Sequence, residues 1–83
     1  MFDYYQDPGH GWLCVTLEDI RNAGLKPSAF SAYSYRRRNQ RETVMFLEED
    51  CDMPKFIQAY ETAHRVPCPI REVIIDDRRQ IGL

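Results

Sequence analysis

Three groups of residues carry side chains able to do chemistry. The densest is the acidic box Glu48, Glu49, Asp50, Cys51 and Asp52. Carboxylates crowded at a strand end can bind a divalent cation or imitate phosphates toward a basic partner. The glycine and distal glutamate of a calcium loop are missing, so no metal site is expected. Negative charge just ahead of a helix also complements the helix dipole, so the box reads either as a partner-binding surface or as a cap. The second group is Arg36, Arg37, Arg38 and Arg41, which follow Tyr33 and Tyr35. Arginines beside tyrosines suit phosphate contact and base stacking, although the aromatic-glycine signature of an RNA-recognition sheet is absent. The third group is His10, His64, Cys14, Cys51 and Cys68, in which no pair has established metal-ligand spacing. Cys51 lies among carboxylates that should raise its thiol pKa, which disfavours a nucleophile. With no phosphate loop, nucleophile elbow or zinc motif, neither catalysis nor a cofactor is expected.

The elements that must position these groups follow from pattern. Residues 1–9, with Asp7, Pro8 and Gly9 at their end, read as an N-terminal arm closing in a turn. Gly11 to Val15 reads as a strand. Thr16 is a helix N-cap with Asp19 in the capping-box position; Leu17, Ile20 and Ala23 share a face, and Gly24 supplies a left-handed stop closed by Leu25. Phe30 to Tyr35 and Thr43 to Leu47 read as a β-hairpin whose long basic tip is the stretch from Arg36 to Glu42. The unbroken apolar run Thr43 to Leu47 fits a central strand buried on both faces. Asp52 can cap a second helix with Pro54 in its first turn, and Met53, Phe56, Ile57, Tyr60 and Ala63 form its apolar face. Ile70 to Ile75 is a last strand, and residues 76–83 form a charged tail.

The predicted order is strand, helix, strand, strand, helix, strand. That order predicts a single α+β domain over residues 1–83, with a four-stranded, mostly antiparallel sheet and two helices on one face, as in ferredoxin-like domains.

The chain has 83 residues, 43 % hydrophobic, 12 % aromatic and 29 % charged, a globular balance that excludes coiled-coil, collagen-like and wholly disordered classes. No uncharged apolar run approaches the ~20 residues of a membrane span, and the N-terminal residues do not form a signal sequence. Three cysteines without a close pair fit free thiols in a reducing compartment, so a cytoplasmic location is expected. Net charge is −2, yet it is segregated: residues 36–41 hold four arginines and residues 42–61 hold six acids. Opposed blocks of this kind can steer association with a partner. Phe2, Tyr4, Tyr5, Trp12, Tyr33 and Tyr35 are many aromatics for so small a chain, and those left exposed beside arginine are favoured interface anchors.

Three runs together resemble a group of small bacteriophage- and plasmid-borne bacterial proteins: GHGWLCV at Gly9 to Val15, FSAYSY at Phe30 to Tyr35, and VMFLEEDCDMPKF at Val44 to Phe56. The resemblance spans roughly residues 9–60 and implies no activity, cofactor or catalytic residue. It implies a virus or mobile-element context, and the basic stretch Arg36 to Arg41 is longer than the hairpin tip usual in that group. The functional expectation is a non-enzymatic protein that binds a bacterial host protein and inhibits or redirects it, as an anti-CRISPR-like defence inhibitor would. Its contacts would be Glu48, Glu49, Asp50 and Asp52 with Tyr33 and Tyr35. The alternatives are a nucleic-acid-binding accessory protein using Arg36, Arg37, Arg38 and Arg41, or a phage structural or assembly protein. An edge strand in so small a sheet also offers a route to a homodimer.

Overall fold

Alternating aromatic, β-branched and polar residues favour strands, and the computed structural model, which describes residues 1–31, 34–38 and 41–74, places such segments in one sheet. The strands are β1 (Phe2–Asp7), β2 (His10–Thr16), β3 (Tyr35–Arg38), β4 (Thr43–Glu48) and β5 (Ile70–Ile74). The helices are α1 (Leu17–Asn22) and α2 (Asp52–His64). The strand order is β3-β4-β2-β1-β5. All neighbours are antiparallel except β1 and β5, which run parallel, so the sheet is mixed and five-stranded.

The α+β class holds, but the four-stranded sheet and the N-terminal arm do not. Phe2–Asp7 is a full strand between β2 and β5, where a ferredoxin-like sheet would pair β5 with β2 directly. The physical reason lies in its own residues. Phe2 and Tyr4 turn to the core, and Pro8 with Gly9 (φ 102°) closes a two-residue hairpin between Asp7 and His10. The His10 amide donates to Asp7 Oδ1 at 3.1 Å and secures that turn.

Helix α1 forms as its caps dictate. Thr16 and Asp19 exchange side chain to backbone hydrogen bonds, both 2.9 Å. Gly24 takes φ 82°, with its amide donating to the Arg21 carbonyl and the Leu25 amide to the Ile20 carbonyl, the paired bonds of a Schellman stop. After this stop, Pro27–Ala29 is a short 3-10 turn.

The first strand of the predicted hairpin is also displaced from expectation. It starts at Tyr35, so Arg36, Arg37 and Arg38 lie within β3 and not in a tip. The residues before it are taken by another partner. Asp52, 1 % exposed, accepts from the Ser31 amide (2.9 and 3.0 Å), the Ser31 hydroxyl (2.7 Å) and the Ser34 hydroxyl. Ser34 Oγ in turn accepts from the Glu48 amide at 2.9 Å. The side chain of Asp52 therefore fastens Ser31 and Ser34 to the start of α2 and does not cap its own helix, whose N-cap is Cys51.

One core joins sheet and helices. Tyr4, Leu13, Val15, Met45 and Leu47 project from β1, β2 and β4 to meet Ile20 and Ala23 of the α1 region and Phe56 of α2. Phe2 adds edge-on ring contacts to Phe56 and Tyr60, at 5.2 and 5.4 Å between centroids. The predicted apolar face of α2 is present through Met53, Phe56 and Tyr60, while Ala63 stays exposed. That helix ends at Arg65, a non-glycine residue at φ 59°.

Candidate functional site on the open face of the sheet

Side chains alternate across a strand, so the residues between the core positions point the other way. The register aligns them into rows: Arg71, Asp3, Cys14, Phe46 and Tyr35 in one, Val73, Tyr5, Trp12 and Glu48 in the next. No described helix packs against this second face, because α1 and α2 meet the sheet through the core residues on the first.

Four aromatic rings lie together there. Tyr35 and Phe46 stack across β3 and β4, with centroids 5.0 Å apart and planes 16° apart. Tyr5 lies 6.1 Å from Phe46 on its other flank, and Trp12 meets Tyr35 edge-on at 6.2 Å. His10 stacks on Trp12 at 5.3 Å and 15°. Phe46 is thus buried by rings and not by a helix, which is why it is absent from the main core. Burial pushes the Tyr35 phenol up to about 12, and its hydroxyl is buried without a hydrogen-bond partner among the described residues. Charge around the cluster is balanced, with Arg71 Nη2 2.7 Å from Asp3 Oδ1 at one side and Arg37 at the other.

The acidic box is largely occupied by its own fold. Glu49 accepts the Tyr4 hydroxyl, and Glu48 accepts the Cys51 amide at 3.0 Å. Asp52 is buried; the cost of burial, which raises its pKa, is outweighed by hydrogen bonds from Ser34 and Ser31, and the carboxyl falls below its usual value. Asp50 and Cys51 are the exposed members of the box. Tyr33 lies outside the described residues. Arg36, Arg37, Arg38 and Arg41 are all exposed, but the strand divides the first three: Arg37 shares the open face with Tyr35, while Arg36 and Arg38 point to the helix side.

The remaining reactive groups are not gathered. His10 sits at the open face and His64 lies tilted against Tyr60 with centroids 4.3 Å apart, and no metal-holding cluster of three occurs among the described residues. All three cysteines are free thiols. Burial pushes Cys14 and Cys68 up to about 11, and Cys51 is raised by desolvation and by Glu48, Asp52 and Asp50. None is an activated thiolate near neutral pH. Among the described residues, no helix is long and apolar enough to cross a membrane.

No family model, curated protein or solved structure matches the chain.

The surface that emerges is a half-buried patch of aromatic side chains on adjacent strands. Sequence reasoning had named Tyr5, Trp12 and Tyr35 as aromatic and missed Phe46. The signal for Phe46 is its position between Met45 and Leu47: those two face the helices, so the residue between them must face away.

Proposed function

We propose that this protein is a non-catalytic binding module that engages a bacterial host protein through the open aromatic face of its sheet and inhibits or redirects it. The observation carrying this reading is the group Tyr5, Trp12, Tyr35 and Phe46 on a face that no described helix covers. Tyr5, Trp12 and Tyr35 are half-buried around the buried Phe46; an aromatic patch without a covering layer suits an interaction site, and Trp and Tyr are the side chains that most often dominate binding energy. The host-directed part draws on the resemblance of residues 9–60 to phage- and plasmid-borne proteins, and the host cytoplasm is the corresponding place of action.

A protein partner suits this face better than a single-stranded nucleic acid. Base stacking needs open ring faces, whereas here Phe46 is flanked by Tyr35 and Tyr5, and Trp12 is covered by His10. The acidic box contributes less than its density suggests, since Glu48, Glu49 and Asp52 already hold the fold together.

The test is affinity capture from bacterial lysate with the wild-type chain and with Trp12→Ala and Tyr5→Ala, with and without nuclease. A stoichiometric protein that survives nuclease and is lost with both variants at unchanged melting temperature supports the reading. Capture that both variants retain, or that nuclease abolishes, refutes it.

A further inference from the structure

The free edge of the sheet at β3 has a polarity that follows from one hydrogen bond. The Glu49 amide donates to the Gly11 carbonyl at 3.1 Å, and the register places these residues opposite one another. Hydrogen-bonded and non-hydrogen-bonded pairs alternate along an antiparallel ladder. Leu47 and Met45 therefore turn their main chain toward β2, while Glu48, Phe46 and Val44 turn theirs toward β3. The Glu48 amide bonded to Ser34 agrees with this. On β3, Tyr35 and Arg37 then bond to β4, and Arg36 and Arg38 present their N–H and C=O groups outward. No described strand lies beyond them.

Three of the four side chains of this edge strand are cationic, Tyr35 being the fourth. Arg36 and Arg38 stand on one side of the sheet and Arg37 on the other, all three exposed. Among the described residues no carboxylate forms an ion pair with Arg36 or Arg38. A second copy of β3 would meet this edge with like charge on both sides, which opposes pairing. An extended acidic chain would meet complementary charge at Arg36 and Arg38 and satisfy the outward main-chain groups.

We propose that the outer edge of β3 is a docking site for an extended acidic segment of another protein, which adds to the sheet as a sixth strand beside Arg36, Arg37 and Arg38. Main-chain bonds to Arg36 and Arg38 set its register, and the guanidinium groups of these two residues select carboxylates at alternate positions on the helix side of the sheet. The proposal goes beyond the sheet-face reading, because the edge can be occupied whether or not the aromatic face is.

The probe is a short labelled peptide alternating glutamate and threonine, compared with its lysine counterpart and with a short oligothymidylate, by fluorescence anisotropy. The acidic peptide should bind and the lysine peptide should not. Arg36→Gln removes a charge and keeps the outward N–H; Arg36→Pro removes both, and should weaken binding by about a further tenfold, the loss of one main-chain hydrogen bond. Amide exchange on the wild-type chain gives a readout that needs no variant: the Arg36 and Arg38 amides should exchange freely alone and become protected with the peptide. Absence of peptide binding, equal losses for Arg36→Gln and a folded Arg36→Pro, or binding without protection of these amides would each overturn strand addition. Tighter binding of oligothymidylate than of the acidic peptide would overturn it in favour of nucleic acid.

Discussion

At Gly11 the missing side chain decides what its neighbour can do. A Cβ there would fall 2.7 Å from Cζ and 2.8 Å from Cε1 of Tyr4, and nearer still to its hydroxyl. Tyr4 is core, and its hydroxyl donates to Glu49; burial and that carboxylate push the phenol up to about 12. The ring therefore has no free direction in which to yield. Gly11→Ala should lower stability by about 1 to 3 kcal/mol, read as a shifted urea midpoint at unchanged slope. Asp52 makes a prediction with a sign in pH. Its folded pKa lies below the ordinary 3.8 because Ser34 and Ser31 donate to the carboxylate more strongly than burial opposes it. A depressed folded pKa contributes stability that is complete above the unfolded value and is lost as pH falls through the folded one. Wild type should therefore lose stability on acidification below about pH 4. Asp52→Asn should start lower by about 1 to 3 kcal/mol, from impaired hydrogen bonding at a buried site, and lose less over the same range. Parallel urea midpoints from pH 6 to pH 3 for the two chains would contradict this assignment.

At the scale of elements, β1 tests how the sheet is built. Residues read as an arm would be dispensable, but β1 lies between β2 and β5 and is the only described strand bonded to β5. Deleting residues 1–7 should abolish cooperative unfolding by circular dichroism, since it removes Phe2 and Tyr4 from the core and leaves β5 without a neighbour. Retained two-state unfolding would show that the other strands suffice. The contrast explains what was legible beforehand. Helix α1 could be read because its signals are local: Thr16, Asp19, Gly24 and Leu25 act on backbone groups a few residues away. The same holds for the buried run of β4 and the apolar face of α2. β1 was obscured because Asp3 and Gln6 dilute its pattern and Asp7, Pro8 and Gly9 resemble any loop, while its partners lie far along the chain. The displacement of β3 has a similar cause. Nothing near Ser31 or Ser34 announces that Asp52, well separated in sequence, will accept from both of them. Those hydrogen bonds hold Ser31 and Ser34 against Asp52, and the strand begins at Tyr35, so that three arginines lie within it. The candidate site was legible as a set of aromatic residues, but the division of that set between core and open face required the register.

At the scale of the molecule, two surfaces of different chemistry lie side by side: an aromatic face of balanced charge and a cationic edge. Trp12 is the single tryptophan of the chain and sits on the face, stacked with His10 and edge-on to Tyr35, so it reports on one surface in particular. A partner docked on the face should desolvate the indole and shift its emission to the blue. Trp12→Ala should then weaken that partner by on the order of 2 kcal/mol, about thirtyfold in affinity. Such binding should depend little on salt, because the face offers an already paired Asp3–Arg71 and few other charges. An acidic strand at β3 should behave oppositely, weakening as salt screens its arginines and responding to Arg36→Gln more than to Trp12→Ala. Because Tyr35 belongs to both the edge strand and the aromatic group, the two sites need not be fully independent. The decisive measurement is a double-mutant cycle of Trp12→Ala and Arg36→Gln on the partner captured from lysate. If that partner uses the face alone, Arg36→Gln should leave its affinity unchanged in either background. Loss of affinity in both single variants, with the double variant equal to their sum, would instead mean that one partner spans face and edge, its apolar surface over Trp12 and an acidic strand along β3.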